Sequence, residues 1–409
     1  MLINVDLHIH SRFSGATSQK MNIKTISIEA PKKGIDVVAT GDCLHNGWLR
    51  EIKESTTSVD EGTLELNKTR FILSTEVEDK NRVHHLLYFP SFSAVEEFKD
   101  KIRLRSKNLE TDGRPNLNMD GEEIAQIAKD LDILIGPAHA FTPWTALYAH
   151  HNSLKSCYGD MVDYVSFLEL GLSADSNYAD RIKELSRLTF LTNSDSHSPH
   201  PVRFAREFNR LEVKEATFNE IKKAMLREDG NKFVLNVGLP PEEGKYNESA
   251  CISCYKHYSL SEAIARNWRC TCGGRIKKGV KDRIEELSDH KRPVHPSHRP
   301  PYLHIIPLSE IIAKAIGQHS PFTKKVTERW NDLIKVFKNE VNVLVDANIE
   351  DIRKVTAPAI TDAIQAFREG KVIVHPGGGG KYGIIELPSS VEKTNTIVFV
   401  DKQKTLLDY

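Results

Sequence analysis

The run Asp6-Leu7-His8-Ile9-His10 sets two imidazoles one residue apart, directly after the apolar start Met1-Leu2-Ile3-Asn4-Val5. That start reads as a buried first strand. Side chains alternate along a strand, so His8 and His10 share a face with Asp6 beside them. Two neutral imidazoles on one face form half of a site for zinc, manganese or iron. Further residues of ligand type follow other apolar runs: Asp42 and His45 after Ala39-Thr40-Gly41, Glu76 after Leu73-Ser74-Thr75, His85 before Leu86-Leu87, His139 after Ile135-Gly136-Pro137-Ala138, and Asp195 and His197 after Leu191-Thr192-Asn193-Ser194. Mixed histidine and carboxylate donors at many strand ends suit two or three divalent ions, a set that lowers the pKa of a bound water and clamps a phosphoryl group. A cap, a core histidine or a surface carboxylate explains any one of these residues as well. Nine together are harder to explain that way.

The elements that must position them alternate. Strand-like runs at Ile35-Asp36-Val37-Val38-Ala39-Thr40, Phe71-Ile72-Leu73-Ser74-Thr75, His85-Leu86-Leu87-Tyr88-Phe89, Ile133-Leu134-Ile135-Gly136, Val165-Ser166-Phe167-Leu168-Glu169 and Thr189-Phe190-Leu191-Thr192 are separated by amphipathic stretches such as 121–131 and 180–188. This is the pattern of parallel βα units, an α/β barrel or open sheet whose strand C-termini carry the site. The first unit spans 1–237 and ends at the Pro/Gly/Glu linker Gly238-Leu239-Pro240-Pro241-Glu242-Glu243-Gly244-Lys245. A cysteine module at 247–280, a basic linker at 281–304 and a mainly helical region at 305–409 follow. Helices are expected there at 309–316, 323–337 and 349–369, with β segments at Val372-Ile373-Val374 and Ile397-Val398-Phe399-Val400.

The chain has 409 residues, enough for two or three domains. Its 39% apolar and 27% charged content is that of a soluble protein. No membrane span or signal peptide is visible, so a cytoplasmic location is expected. Lys plus Arg and Asp plus Glu each number 56, so affinity for nucleic acid would need a local patch.

Such a patch surrounds the cysteines. Cys251-Ile252-Ser253-Cys254 and Cys270-Thr271-Cys272-Gly273-Gly274 have the spacing of a four-thiolate zinc ribbon, structural because four thiolates leave no open position. Between 245 and 300, twelve Lys/Arg face six Asp/Glu, with Tyr255, Tyr258 and Trp268 interleaved and Tyr302 just beyond. Positive charge with stacking rings suits a nucleic-acid track, and a solvated basic face suits the pattern too. Arg275, Lys277, Lys278, Arg299, Tyr302 and Lys381 are the candidate DNA contacts. Gly377-Gly378-Gly379-Gly380-Lys381 is either a phosphate-wrapping turn or a plain flexible one; it lacks the ending of a nucleotide-binding P-loop. Phe141-Thr142-Pro143-Trp144, beside His139, offers a rim aromatic or a core one.

Asp6-Leu7-His8-Ile9-His10-Ser11, Gly34-Ile35-Asp36…Gly41-Asp42, Thr75-Glu76, His139 and Asp195-Ser196-His197 resemble, in order, the motifs of the polymerase-and-histidinol-phosphatase (PHP) domain. The resemblance implies a distorted seven-stranded (β/α)7 barrel with a trinuclear metal centre hydrolysing phosphoesters. Where that family commonly has Thr-Asp-His, this chain has Gly41-Asp42-Cys43 with His45 two residues on, so Asp42, His45 or both complete the ligand set, and either His84 or His85 does so too, His85 fitting better directly before Leu86-Leu87. The barrel, the four-cysteine ribbon, His298-Arg299-Pro300-Pro301-Tyr302 and Pro376-Gly377-Gly378-Gly379-Gly380-Lys381-Tyr382-Gly383 together resemble the endonuclease Q family over nearly the whole chain. That resemblance implies a metal-dependent DNA repair endonuclease. It would cut 5′ to uracil, hypoxanthine, xanthine or abasic sites and leave a 3′-hydroxyl and a 5′-phosphate. Asp195, His197 and Glu76 would be central to catalysis, with two or three zinc, manganese or magnesium ions, a flipped lesion base and one structural zinc in the ribbon. A small-molecule phosphatase of the histidinol-phosphatase type and an inert barrel used as a scaffold are the competing classes. A repair nuclease could also pair with a sliding clamp, although no convincing docking motif is visible.

Overall fold

A computed structural model describes residues 1–388, so the β segment expected at 397–400 lies outside the described residues. Seven strands form the wall of the barrel: β1 (Leu2–Asp6), β2 (Val37–Ala39), β3 (Thr69–Glu78), β4 (His84–Phe89), β5 (Leu134–Pro137), β6 (Phe167–Glu169) and β7 (Thr189–Leu191). β1, β2 and β3 are parallel, and so are β6 and β7; β4 lies antiparallel between β3 and β5. β5 abuts β6 so closely that Gly136 has no room for a Cβ against Phe167. The ring closes past β7, where the His10 amide donates to the Ser196 carbonyl at 2.9 Å. This is a distorted seven-stranded βα barrel.

The strands read as unbroken apolar runs because both faces are buried. Ile3, Val5, Ile72, Leu86, Tyr88 and Leu191 fill the interior, plugged by helix Phe218–Leu226. Val38, Phe71, Leu87 and Phe89 pack outward against the surrounding helices. The edge of β1 continues antiparallel into β8 (Phe208–Glu212) and β9 (Lys232–Gly238), and β9 pairs in parallel with β10 (Tyr302–His304). None of these three strands is expected from the sequence.

β10 also changes the reading of 281–304. This stretch runs back along the barrel, its Asp289 and Val294 amides donating to the carbonyls of Arg181 and Asp180. Arg299, a candidate DNA contact, is buried instead. Its guanidinium is bidentate on Asp180 at 2.9 Å and lies 3.2 Å from the Phe190 ring centroid. Tyr302 is likewise buried, within the sheet. Both serve the fold.

Beyond 305 the chain forms helices Leu308–Ala315, Lys324–Phe337, Ile349–Val355 and Pro358–Arg368. The single helix expected at 349–369 breaks at Pro358, which lacks an N–H and holds Ala357 extended at ψ 144°. The stretch 180–188 makes only a 3₁₀ turn, Lys183–Arg187. A buried ion pair, Lys33 Nζ to Glu340 Oε1 at 2.6 Å, joins the barrel to this helical region, and Glu340 also accepts from Trp330 Nε1 at 2.7 Å. Removing one partner alone would cost about 3–5 kcal/mol by stranding the other charge.

Glu207, directly before β8, is fully buried, and that burial pushes its carboxyl up to about 8 from an ordinary 4.5. The folded state therefore holds a proton that the unfolded state has released. The resulting stability is complete below pH 4.5 and is lost as pH rises through 8. Urea midpoints measured at pH 5 and pH 8 should fall across that window in the wild type. In Glu207→Gln the fall should be smaller, by a few kcal/mol at most.

Candidate metal centre

At the C-terminal mouth of the barrel, β1 runs on into His8 and His10, β3 presents Glu76, β4 presents His84, and the turns after β5 and β7 present His139, Asp195 and His197. Three donor groups overlap there: His8, His10 and Glu76; His10, Asp195 and His197; Glu76, His84 and His139. Within each group the ligand atoms lie within 4.8 Å of one another. Glu76 is the hub. Its Oε1 is 2.8 Å from His84 Nδ1 and 2.9 Å from His139 Nε2, and its Oε2 is 3.4 Å from His10 Nε2. Asp195 Oδ1 lies 3.3 Å from His10 Nε2 and 3.8 Å from His8 Nε2.

His8 Nε2, His10 Nε2 and His139 Nδ1 are buried without a hydrogen-bond partner among the described residues. An orphaned buried nitrogen costs about 1–3 kcal/mol. Those of His8 and His10 face the shared carboxylates of Glu76 and Asp195 and are accounted for by cations bound between, while His139 meets Glu76 through its other nitrogen, Nε2. The donor set therefore fits divalent ions of borderline hardness.

Two of these imidazoles are held from behind. His8 Nδ1 lies 3.0 Å from both Glu169 oxygens, and His10 Nδ1 lies 3.0 Å from Asp42 Oδ1. A carboxylate on one ring nitrogen fixes the tautomer and turns the other nitrogen's lone pair into the centre. Without a cation the same charges favour protonation. Burial opposes it at His8, but Glu169 and Asp195 prevail and raise the ring to about 9. Burial likewise opposes ionisation of Glu76 and Asp195, and the neighbouring imidazoles still hold both below the usual carboxylate range. Metal binding here must therefore release protons.

The structure brings together His8, His10, Glu76, His139, Asp195 and His197, and sets three expected ligands elsewhere. Asp42 stands behind His10, accepting from the Ser11 amide at 2.6 Å and Ser14 Oγ at 3.0 Å. His45 caps helix Asn46–Ser55 and stacks on Phe13 at 4.3 Å. His85 points out of the barrel to Tyr158 and Asp79, because alternation along β4 turns His84 inward.

Glu169 and Arg114 are not among the residues expected from the sequence. Glu169 ends an apolar run as Glu76 does, which is its one visible signal; Arg114 has none. Arg114 Nη1 reaches Glu76 Oε2 at 3.1 Å because Gly113 passes against Asp42 and Ser14, where a Cβ would not fit. Replacing Glu169 with Gln should raise the metal concentration needed for half-maximal activity by about 10–100-fold, read from metal titrations of the initial rate.

The ribbon docks beside this mouth. Cys251 and Cys272 sulfurs are 3.6 Å apart and Cys254 and Cys270 sulfurs 3.5 Å, far longer than a disulfide and fit for four thiolates on one ion. Trp144 is exposed at the rim with Lys277 Nζ 3.4 Å above its ring, and the same Nζ donates to Pro143 O at 2.8 Å. Lys277 and Lys278, the latter paired with Glu286, are thus engaged within the chain, while Arg275 and Lys381 are exposed. Gly377–Gly380 is neither a phosphate cradle nor a loose turn. The amides of Gly377, Gly378 and Gly380 donate to Glu242, Lys381 and Lys245, and Gly379 packs on the Cys251 backbone.

Residues 307–371 match a family model described as the MJ0043 C-terminal domain. An uncharacterized protein, MJ0043, of Methanocaldococcus jannaschii is 46% identical over 271 residues, 64% of this chain; the chain spans about a third (33%) of that relative's length. The crystal structure of the lesion-specific endonuclease PfuEndoQ from Pyrococcus furiosus is 50% identical, with a TM-score of 0.92 over 97% of this chain and 98% of that one. A structure of endonuclease Q in complex with a 27-mer duplex bearing an abasic lesion at the active site is 50% identical, with a TM-score of 0.91 over 96% and 98%.

Proposed function

The chain belongs to the endonuclease Q family, and on that premise we propose that it nicks duplex DNA 5′ to deaminated bases and abasic sites, leaving a 3′-hydroxyl and a 5′-phosphate. The observation that carries this reading is the overlapping donor set around Glu76, set beside a ribbon that a small substrate would not need.

His8, His10, Glu76, His84, His139, Asp195 and His197 would hold two or three divalent ions. Bound there, such ions supply a hydroxide nucleophile at neutral pH and neutralise charge on the phosphodiester. The chain's own residues do the rest. Glu169 and Asp42 fix the imidazoles. Arg114, only partly covered, adds positive charge beside Glu76 where a phosphate would arrive. Of the six candidate contacts, Arg275 and Lys381 are exposed and available to meet the backbone of the duplex.

A cavity of about 230 Å³ where barrel, linker and helical region meet is our candidate for the lesion pocket, lined by Leu172, Arg203, Arg206, Glu243, Glu310 and Tyr382. Arg206 Nε donates to the Ser194 carbonyl, one residue from Asp195, and Leu172 follows Gly171, which packs on His139. Burial pushes the Glu243 carboxyl up to about 7, so near neutral pH it can donate as well as accept at a base edge.

The test is a duplex oligonucleotide with one deoxyuridine, deoxyinosine or abasic site, incubated with manganese or magnesium beside an undamaged control. A single nick 5′ to the lesion supports the reading. An intact duplex, with phosphate released from small monoesters, would replace it with a phosphatase.

A further inference from the structure

We propose that Asp79, His85 and Cys157 form a second and separate zinc site on the outer face of the barrel. Asp79 follows β3. Its Oδ1 accepts from the amides of Asn81 and Val83, both at 2.8 Å, while its Oδ2 is buried with no hydrogen-bond partner among the described residues. His85 is fully buried, its Nδ1 lies 2.7 Å from Tyr158 OH, and its Nε2 is likewise without a partner. The two orphaned atoms are 3.4 Å apart. The Cys157 sulfur completes a trio whose ligand atoms lie within 4.8 Å of one another, and all three residues are buried.

Zinc holds oxygen, nitrogen and sulfur at about 2.0–2.3 Å in a tetrahedron, which sets neighbouring ligand atoms roughly 3.3–3.8 Å apart. The Asp79–His85 spacing falls in that range. Two partnerless polar atoms and a thiol in one buried place are hard to explain by packing. Each would cost about 1–3 kcal/mol left as it is, and one cation satisfies them together. The Tyr158 hydroxyl on His85 Nδ1 plays the orienting part that Glu169 plays for His8. All three protein donors are buried, which closes the site to substrate and makes it structural.

Its purpose follows from strand parity. His84 and His85 are consecutive on β4, one facing the barrel interior and the other facing out. Zinc on His85 would tie β4 to helix Leu154–Tyr158 and fix the strand that carries His84 to Glu76.

A zinc-edge anomalous difference map from crystals of the full chain tests this, with metal content by mass spectrometry alongside. We expect a peak bonded to Asp79 Oδ2, His85 Nε2 and Cys157 Sγ, apart from those of the ribbon and the barrel mouth. Asp79→Asn and Cys157→Ser should each lose one zinc per chain. A map with the ribbon peak and none at this site overturns the proposal and makes Asp79–His85 an ordinary ion pair. An unchanged zinc count in folded Asp79→Asn overturns it as well. The map reads the wild-type chain, so a variant that fails to fold does not block the test.

Discussion

Asp195→Asn is expected to leave a lesion-bearing duplex intact under conditions where the wild type nicks it to completion. Asp195 Oδ1 faces the partnerless nitrogens of both His8 and His10, so the charge lost with the carboxylate is lost from beside both imidazoles at once. Metal-assisted stabilisation of the transition state is worth several kcal/mol, and about 4 kcal/mol corresponds to roughly a thousandfold in rate. The backbone makes this a clean substitution. Asp195 sits at φ 46°, a left-handed conformation that Asn adopts as readily as Asp. The variant should therefore fold and melt like the wild type while bound metal at the barrel mouth falls. Wild-type nicking by Asp195→Asn with unchanged metal content would remove Asp195 from the centre.

The same geometry shows what the sequence made legible. All seven barrel strands announce themselves as apolar runs, and most ligands follow because barrel sites gather at strand C-termini. The side of a strand on which a residue falls is less visible. His84-His85-Leu86-Leu87 is apolar on both faces because β4 is buried on both, so no alternation reveals which histidine looks inward. The antiparallel register, His84 opposite Glu78 and Leu86 opposite Glu76, decides it. Asp42 misleads for a related reason: it lies at a strand end at φ 47° like a ligand, but its carboxylate meets the far nitrogen of His10. Charge counting misleads differently. A basic strip marks a DNA track only if its cations are free, yet Arg283 is bound to the carbonyls of Tyr148 and His151, Arg299 to Asp180 and Lys281 to Glu248. Those partners are up to 135 residues away, and no local pattern announces them.

Cys270→Ser should separate DNA grip from chemistry. The ribbon has little to hold it without metal: Cys251, Tyr258, Ala263, Cys270 and Ile276 are its whole buried apolar cluster, with Trp268 packed against it. So small a core does not fold alone, and structural zinc contributes about 10–16 kcal/mol in such modules. Cys270 is the thiol best prepared for the ion. The Cys272 amide and the Tyr258 hydroxyl, 3.0 Å from its sulfur, lower it to about 5. Serine supplies no thiolate, so one zinc per chain should be lost and the ribbon should loosen. The barrel has its own interior core and its own donors, and should keep its metal. The Kd for a lesion duplex should rise about tenfold or more, equal to about 1.4 kcal/mol. The rate at saturating DNA should change less, since the ribbon contributes no donor to the barrel mouth. The contacts to Trp144 and Pro143 and the Gly379 turn on Cys251 set a limit on that independence, because they join the ribbon to the loop after His139 and to the hairpin carrying Tyr382. Single-turnover nicking at increasing enzyme concentration distinguishes the outcomes: a weaker half-saturation with a similar plateau means grip alone was lost, while a collapsed plateau means the ribbon also shapes the active centre.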